Sequence, residues 1–294
     1  MIALAGIAFA VLLMFSQVGF QNALFDSQVK MLSDFRGDIF IVNKAKFTLA
    51  AEKRFPIDRI LQARSCPGVE GAYPIYSELT TSVLRKMERG VGNRGYPIRS
   101  IGFPLGAPIF KSADIVRQTP QLNAPGTALI DTKSKENNFP FEMDNPESLR
   151  AENVELAGKR VSLVGTFELG TDFAHDGNLV MSAENFARFY PHRKRFGDPL
   201  SVVDIGIVNV QEGYSVNEVQ NTLQKTLSKD VLVLQRQEYL EKEIRFWDKS
   251  TPIGVIFMAG KIIGFVVGMV ICYQVSYSDI TDHLPEFATR KAMG

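Results

Sequence analysis

The sequence is poor in the residues that build redox, metal and nucleotide sites. It has only two cysteines, three histidines and one tryptophan in 294 residues. Cys66 lies in a polar region and Cys272 in an apolar one, so no disulfide framework is predicted. There is no GxxxxGK[ST] phosphate-binding loop, so we do not expect the chain itself to bind ATP. No cofactor is indicated, and an enzyme is the least supported class of protein.

Charge is balanced overall, with 33 Lys+Arg against 32 Asp+Glu, which gives no reason to expect a nucleic-acid partner. The balance hides a strong segregation along the chain. The first 21 residues carry no charged side chain, and between Pro252 and Tyr273 the one charged residue is Lys261. A membrane-spanning helix needs about 20 mostly apolar residues. Ile2–Phe20 and Ile253–Tyr273 are therefore predicted to be two transmembrane helices that flank one water-soluble domain.

Each apolar segment has a simpler alternative. The first could be a cleaved signal peptide, but no basic residue precedes it and no small-x-small cleavage pattern follows it. The second could be a buried core helix, although core helices seldom run this long without polar residues. The basic residues near the two segments do not settle which side of the membrane holds the domain.

Small residues in the second apolar segment indicate helix packing. Gly260, Gly264 and Gly268 recur every four residues, so they share one helix face and allow another helix to approach closely in lipid. Lys261, the one charge in this segment, could mark a transport path, and the favoured interpretation is that its long side chain reaches the interface. We therefore expect partner helices at the glycine face.

The soluble region is predicted to be a mixed α/β domain. Asp38–Asn43 is typical of a strand, Ile57–Arg64 of a short helix and Val69–Leu84 of extended chain. The same order returns later as a strand, an amphipathic helix and a strand, at Val202–Val210, Val216–Leu227 and Val231–Gln235. Two β-α-β units at opposite ends indicate one sheet built from both halves. A β-rich insert separates them, with strands predicted at Thr127–Ile130, Arg160–Phe167 and Asn178–Ser182.

Helical spacing of apolar residues continues from each span toward the domain. Phe25, Val29 and Leu32 extend the first helix, and Leu240, Ile244 and Trp247 precede the second. We interpret these segments as a two-helix stalk continuous with the spans, although two ordinary domain helices would show the same pattern.

The predicted divisions are transmembrane helix 1–21, stalk 22–36, first half of the sheet 37–97, insert 98–200, second half 201–236, stalk 237–251, transmembrane helix 252–277 and a terminal segment 278–294.

No catalytic constellation emerges from the polar residues. His175 stands beside Asp172 and Asp176, but no second His or Cys has ligand spacing, so a turn is favoured over a metal site. The basic run of residues 192–195 (HRKR) could touch anionic lipid or a partner protein, and a solvated loop is the favoured interpretation. Glu147–Glu155 is polar and is predicted to be a loop.

The most informative segment follows the second span and reads SYSDITDHLPEFATRKAMG, residues 276–294. Pro285 and Glu286 are typical of a first helical turn, and Asp282 is available as its cap. Phe287 and Ala288 supply an apolar face beside Arg290. A short amphipathic helix next to a membrane span is well placed to bind a soluble partner.

This segment resembles the cytoplasmic loop of Dev-type ABC exporter permeases of the wider MacB/FtsX family. The resemblance extends to LAGIAFAVLLMFSQVGFQNALFDSQ near the start and to FELGTDFAHDGNLVMSAENFARF in the soluble region. It implies a porter-like periplasmic domain with a second, inserted subdomain, in a protein of the inner membrane. It also implies a coupling helix that contacts a separate ATPase subunit, through Pro285, Glu286, Phe287, Ala288, Thr289, Arg290 and Lys291.

The resemblance further implies a set of partners. These are the ABC ATPase subunit, a membrane-fusion protein, a TolC-like outer-membrane channel, membrane lipid and a second copy of the chain in a homodimer. The exported substrate in Dev-type relatives is a glycolipid. Family permeases continue into a third and a fourth transmembrane helix, whereas this sequence ends at Gly294, so we expect a truncated or split permease.

Two other classes of protein stay open. Two spans around an extracytoplasmic domain are also the plan of a sensor, in which a signalling helix or kinase would follow the second span. An FtsX-like regulator of cell-wall hydrolases would share the family without transporting anything. Its partner would be an amidase activator, whereas an exporter would have a membrane-fusion protein.

Overall fold

The structure is a computed structural model and describes residues 2–87, 94–193 and 197–293. The chain divides into two compact units. One consists of Met1–Asp26 with Arg245–Gly294, and the other of Ser27–Ile244. The helices are α1 (Ile2–Asp34), α2 (Asp58–Arg64), α3 (Ala113–Gln118), α4 (Pro146–Ala151), α5 (Ala183–Phe189), α6 (Val216–Thr226), α7 (Arg236–Lys249) and α8 (Pro252–Ala292).

The larger unit, Ser27–Ile244, is a mixed α/β domain. Its strands are β1 (Ile39–Asn43), β2 (Phe55–Pro56), β3 (Val69–Glu78), β4 (Val83–Lys86), β5 (Gly95–Pro97), β6 (Arg99–Phe103), β7 (Thr127–Asp131), β8 (Val154–Leu156), β9 (Lys159–Phe167), β10 (Asn178–Ser182), β11 (Val202–Val203), β12 (Ile205–Val210) and β13 (Val231–Gln235). The predicted strands and the helices predicted at Ile57–Arg64 and Val216–Leu227 are present, with small differences at their ends. Two predicted stretches are each divided in two: Val69–Leu84 contains β3 and the start of β4, and Val202–Val210 contains β11 and β12.

Eleven strands form one sheet in the order β13-β1-β12-β3-β6-β10-β7-β9-β8-β4-β5, and β11 pairs with β2 beside it. The pairs β6–β10 and β7–β9 are parallel, and the other pairs in the sheet are antiparallel. The prediction that both halves of the chain build one sheet is confirmed, since β1 lies between β12 and β13. The insert does not form a sheet of its own, because β6, β7, β9 and β10 continue the same sheet and β8 pairs with β4.

Both faces of the sheet are buried. In β1, Ile39 and Ile41 face one apolar cluster, which also receives Ile60 from α2 and Leu223 from α6. Phe40 and Val42 face the other cluster, which receives residues from the ends of α1 and α7. Alternating side chains of a strand point to opposite faces, so β1 serves both clusters. The last turns of α1 and the first turns of α7 therefore belong to one layer of the domain.

Strand β13 lies at one edge of the sheet, and three of its outward polar groups have hydrogen-bond partners. The Val233 carbonyl accepts from the side-chain amides of Gln220 and Gln224, at 3.2 and 3.3 Å. The Val231 N–H donates to the Ser228 carbonyl at 3.3 Å. The Gln235 N–H donates to a carboxylate of α7, at 2.8 Å. Helices α6 and α7 thus satisfy two of the groups that another strand would otherwise bind, and the Ser228 carbonyl satisfies a third.

The three long helices, α1, α7 and α8, differ in part from the predicted plan. α1 runs unbroken from Ile2 to Asp34, as the prediction of a stalk continuous with the span requires. The second stalk is not continuous with its span, since α7 ends at Lys249 and α8 begins at Pro252. Proline has no N–H to continue a preceding helix but suits a first turn, which explains the break.

Within the described residues, one helical segment is long and apolar enough to cross a membrane, Pro252–Ser278 of α8. The predicted first span, at the start of α1, is not among such segments and stays a prediction.

The predicted loop at Glu147–Glu155 is wrong. This stretch contains most of α4, from Pro146 to Ala151, and the start of β8. The Asn145 side chain accepts from the N–H groups of Glu147 and Ser148, at 3.0 and 3.3 Å, and so caps the helix. Leu149 is fully buried and holds the helix against the core.

Candidate functional site

The end of α1 is built into the domain core. Met31 and Leu32 are buried, and Phe35, just after the helix, is completely buried. The Phe35 ring lies 5.4 Å from the ring of Phe110, and both belong to the cluster beneath the sheet. Burying one large aromatic side chain contributes about 2 kcal/mol. A displacement of the last turn of α1 would therefore disturb the core of the domain.

Arg236, the first residue of α7, binds the end of α1. Its guanidinium donates to the carbonyl oxygens of Leu32 at 3.2 Å and Phe35 at 2.6 Å, and also to that of Gly37. The last carbonyls of a helix lack partners within the helix, and a cation there also suits the helix dipole. Burial lowers the pKa of Arg236, and the carboxylate of Asp38 opposes that shift. The Arg236 side chain thus joins the end of α1 to the start of α7.

Further along α7, two residues hold the helix on the sheet and on the loop of residues 44–54. Tyr239 is completely buried, and its ring lies 5.6 Å from that of Phe40. Glu243 is also buried, and its carboxylate accepts from the Thr48 hydroxyl and, at 2.8 Å, from the Leu49 N–H. These contacts fix two successive turns of α7 to the domain.

Lys242 adds to the same contact, since its ammonium donates to the carbonyls of Lys46 and Phe47, at 2.6 and 3.1 Å. Burial lowers the pKa of Lys46, and the nearby carboxylates of Asp204 and Glu243 oppose that shift. Residues from the loop and the helix thus share one polar contact.

The loop that follows β9 contacts α1. The Phe173 N–H donates to the Gln28 side-chain oxygen of α1 at 3.3 Å. This loop contains the FELGTDF sequence on which the family resemblance partly rests. Asp131 holds the start of the loop by accepting from the N–H groups of Leu169 and Gly170, at 3.0 and 2.8 Å.

Arg99, Asp172 and His175 form a buried cluster at the base of that loop. Arg99 Nη1 lies 2.7 Å from Asp172 Oδ2, and His175 Nδ1 lies 2.7 Å from Asp172 Oδ1. Burial by itself would raise the pKa of Asp172, but Arg99 and His175 hold it well below its usual range. Burial lowers the pKa of His175, against the effect of Asp172. Among residues 2–87, 94–193 and 197–293, no three His, Cys, Asp or Glu side chains are grouped so that they could hold a metal ion.

In the basic run at residues 192–195, His192 is exposed as a solvated loop requires, but Arg193 is not. Arg193 is fully buried and lies 2.5 Å from Asp204 Oδ2 and 3.6 Å from Glu78 Oε2. Arg54 approaches the same two carboxylates, at 3.4 and 2.9 Å. Buried charges in proteins are paired with opposite charges, as Arg193 is here. Lys194 and Arg195 lie outside the described residues.

The predicted coupling residues lie within α8. The sequence predicts a separate helix that begins at Pro285, but α8 continues through Pro285 to Ala292, so that prediction is wrong. An interior proline removes one helical hydrogen bond, at a cost of about 3 kcal/mol. The residues next to Pro285 include no glycine or second proline that would weaken the helix further. The Thr289 hydroxyl donates to the Pro285 carbonyl at 2.8 Å. Ala288, Thr289, Arg290 and Lys291 are exposed. The side chains of Asp282, Glu286 and Phe287, and all of Gly294, lie outside the described part of the structure.

The glycine face of α8 receives side chains of α1 within the smaller unit. A Cβ at Gly260 would collide with the Gln17 amide, and one at Gly264 would lie 3.6 Å from Gln17 Oε1 and 3.8 Å from Met14 Cγ. Gly268 is buried. Aromatic packing joins the same helices, because the rings of Phe20 and Phe257 lie 6.1 Å apart. The small residues of α8 thus accommodate side chains of α1.

Sequence patterns did not reveal the residues that join the helices to the domain. Arg236, Glu243 and Gln28 each make their contact with a residue far away in the chain, so no local spacing marks them. Cys66 is buried and Cys272 exposed, and both are free thiols, as the sequence predicts.

Comparisons with known proteins give matches among solved structures alone. No family model matches the chain, and no curated protein matches it. The periplasmic region of MacB from Actinobacillus actinomycetemcomitans is 15% identical, with a TM-score of 0.44, over 68% of this chain and 88% of that one. The extracellular domain of the ABC-type transporter YknZ from Gram-positive bacteria is 12% identical, with a TM-score of 0.41, over 68% of this chain and 99% of that one.

Proposed function

We propose that this chain is a permease subunit of an ABC transporter, of the exporting Dev type within the MacB/FtsX family. One observation carries the proposal. The helix that contains the candidate span continues past Ser278 to Ala292, and its last turns carry the sequence that resembles a coupling loop. Fourteen further residues of helix extend about 20 Å, enough to leave the membrane and meet a soluble protein.

The proposed partner at this end is a separate ABC ATPase. Exposed Arg290 and Lys291, with the neighbouring residues of the coupling segment, would contact it. ATP hydrolysis belongs to that subunit, and the permease contributes no catalytic residue. Binding and hydrolysis of ATP would bias two arrangements of the permease, as any ligand-driven change requires.

At the other end, the contacts of α1 and α7 with the domain would convert helix movement into rearrangement of the domain. α8 follows α7 after two residues, and α7 is tied through Arg236 to the end of α1. A shift of either helix would then act on the same core beneath the sheet.

The remaining features of the proposal follow the sequence resemblance. The domain would lie in the periplasm of a cell with an inner membrane, and the first helix would form a second span. A homodimer would work with a membrane-fusion protein and a TolC-like outer-membrane channel. The substrate class would be a glycolipid.

Co-purification with the candidate ATPase, from membranes that contain the full chain, tests the proposal. We expect the ATPase to co-purify with the wild-type chain and to be lost with Arg290→Glu combined with Lys291→Glu. The matched control is Lys225→Glu combined with Lys229→Glu, which makes the same charge change at exposed positions of the domain. Absence of the ATPase from the wild-type complex, or its equal retention by both double variants, contradicts the coupling role.

A second measurement separates an exporter from an FtsX-like regulator, because both would bind an ATPase. An exporter should co-purify with a membrane-fusion protein, and glycolipid should fail to leave cells that carry the Arg290→Glu, Lys291→Glu variant. Recovery of an amidase activator in place of the fusion protein would support the regulator.

A further inference from the structure

The loop of residues 44–54, which follows β1, is attached to α7. The Thr48 hydroxyl and the Leu49 N–H both donate to the buried carboxylate of Glu243, and Lys242 of the same helix donates to two carbonyls of the loop. Hydrogen bonds that involve an ionised group are about twice as strong as those between neutral groups. A displacement of this part of α7 would therefore pull the loop with it.

The same loop is attached a second time, to the turn between β3 and β4. The Glu52 carboxylate accepts from the N–H groups of Leu79 and Thr80, at 3.0 and 2.9 Å. Arg54, at the end of the loop, lies 2.9 Å from Glu78, the last residue of β3. The loop thus reaches the point at which the chain leaves β3 for β4.

Between the two attachments, the loop is closed by its own hydrogen bonds. The Ala51 N–H donates to the Thr48 carbonyl at 3.1 Å, and the Lys53 N–H donates to the Ala51 carbonyl at 2.9 Å. The buried ammonium of Lys46 also donates to the Ala51 carbonyl, at 2.5 Å. Closely packed segments transmit strain, so this turn would pass on a displacement that a slack loop would absorb.

The two attachments connect distant parts of the sheet. β1, from which the loop starts, is the second strand from one edge, and β4 is the second strand from the other edge. β4 pairs with β5 on one side and with β8 on the other. Since the turn after β3 leads directly into β4, its movement would act first on β4, β5 and β8.

The attachments are mainly polar, which suits an element that moves. Of the large apolar side chains of the loop, Leu49 enters the cluster beneath the sheet, whereas Phe47 is 55% exposed. Water can replace a hydrogen bond when a loop shifts, but it cannot replace packed apolar contacts. Segments with few buried apolar contacts also open more easily than core strands.

We propose that the loop of residues 44–54 is a mechanical connection through which movement of α7 reaches β4, β5 and β8. The inference rests on the proposed permease role, in which α7 moves, and it names the part of the domain that responds. Glu243 and Glu52 are positioning residues at the two attachments. Both attachments must hold at the same time for the loop to carry movement.

Hydrogen exchange of the full chain in lipid nanodiscs, followed by mass spectrometry, tests the connection. In Glu243→Gln, which removes the charge that holds the loop on α7, amide exchange of residues 79–86 should be faster by about ten-fold. Exchange of β7 and β10, which lie further inside the sheet order, should be unchanged. The matched control is Glu241→Gln, at an exposed glutamate of the same helix, and it should leave both regions as in the wild type.

A double-mutant cycle separates a connection from a general loosening of the domain. Glu52→Gln weakens the attachment of the loop to the turn. Adding Glu243→Gln to that variant should change the exchange of β4 by less than about two-fold, because the path from α7 is already interrupted. General loosening would instead give the product of the two single effects.

A milder variant covers the case in which Glu243→Gln does not fold, as judged by thermal unfolding. Thr48→Val removes one donor to the same carboxylate, and exchange of residues 79–86 should then be faster by about three-fold.

Two results would overturn the proposal. One is unchanged exchange of residues 79–86 in the folded variant of the α7 attachment, and the other is a double variant whose effect equals the product of the single effects. ATPase co-purification should be the same for all these variants as for the wild type. Failure of the connection and failure of the permease role are therefore distinguishable.

Discussion

The guanidinium of Arg236 lies 2.6 Å from the carbonyl oxygen of Phe35, a residue 201 positions earlier in the chain. The two residues mark the places where the chain enters and leaves the domain. Phe35 follows the last residue of α1, and Arg236 is the first residue of α7. Any change in the position of one helix end must therefore stretch or move a charged hydrogen bond to the other.

Replacing Arg236 by Gln should destabilise the domain. Hydrogen bonds from a charged donor contribute about 1.5–3 kcal/mol, and carbonyls at the end of α1 would lose their partner. We expect a loss of about 2 kcal/mol in the free energy of unfolding, measured by urea titration of the solubilised chain. Arg245→Gln, at an exposed arginine of the same helix, should change stability by less than about 0.5 kcal/mol. Similar losses for the two variants would contradict the joining role of Arg236.

Gly254 sits at the bend between α7 and α8 and has no room for a side chain. A Cβ there would collide with the backbone carbonyl of Asp248, which cannot rotate away. Gly254→Ala should therefore cost about 1–3 kcal/mol through a forced backbone shift. The control is Gly264→Ala, where the nearest atoms would lie at ordinary contact distances. A thermal unfolding scan in nanodiscs compares them, and equal midpoints would show that the bend adapts freely.

The buried His175 should make stability depend on pH. Its pKa in the folded chain lies below the ordinary value of 6.5, so the unfolded chain binds a proton first as pH falls. The free energy of unfolding should therefore decrease as pH falls below about 6.5, by at most about 1.4 kcal/mol per pH unit. The pKa of Asp172 is also depressed, so its protonation lowers the free energy of unfolding further below about pH 4.

Substitution of His175 by Gln separates these two effects. The variant should lose the decrease between pH 7 and pH 5 and keep the decrease below pH 4, as measured by urea unfolding at a series of pH values. A wild-type slope that survives the substitution would assign the pH dependence to another group.

The strands were predictable because each is a local pattern. VVDIGIVNV and VLVLQ carry β-branched residues in runs bounded by polar or glycine turns, and the IGIVNV part of the first and the whole of the second are strands of the sheet. The pairing of both halves of the chain also followed from the repeated β-α-β order. Each strand and helix in that order is set by residues a few positions apart.

The errors concern residues whose surroundings come from distant parts of the chain. Arg193 looked like one member of a solvated basic run, yet Asp204 and Glu78 make its burial possible. Pro285 looked like a helix start, but the residues on both sides sustain a helix across it. The Arg236 contact leaves no sequence pattern at all.

The occupied outer groups of β13 limit how copies of this chain can associate. An open sheet edge is a template on which a strand from another molecule can add. Gln220 and Gln224 cover the Val233 carbonyl, so neither a second copy nor an extended peptide can lengthen the sheet at that end without first displacing them. At this edge the two glutamines therefore act as protection against strand addition and fibrous aggregation.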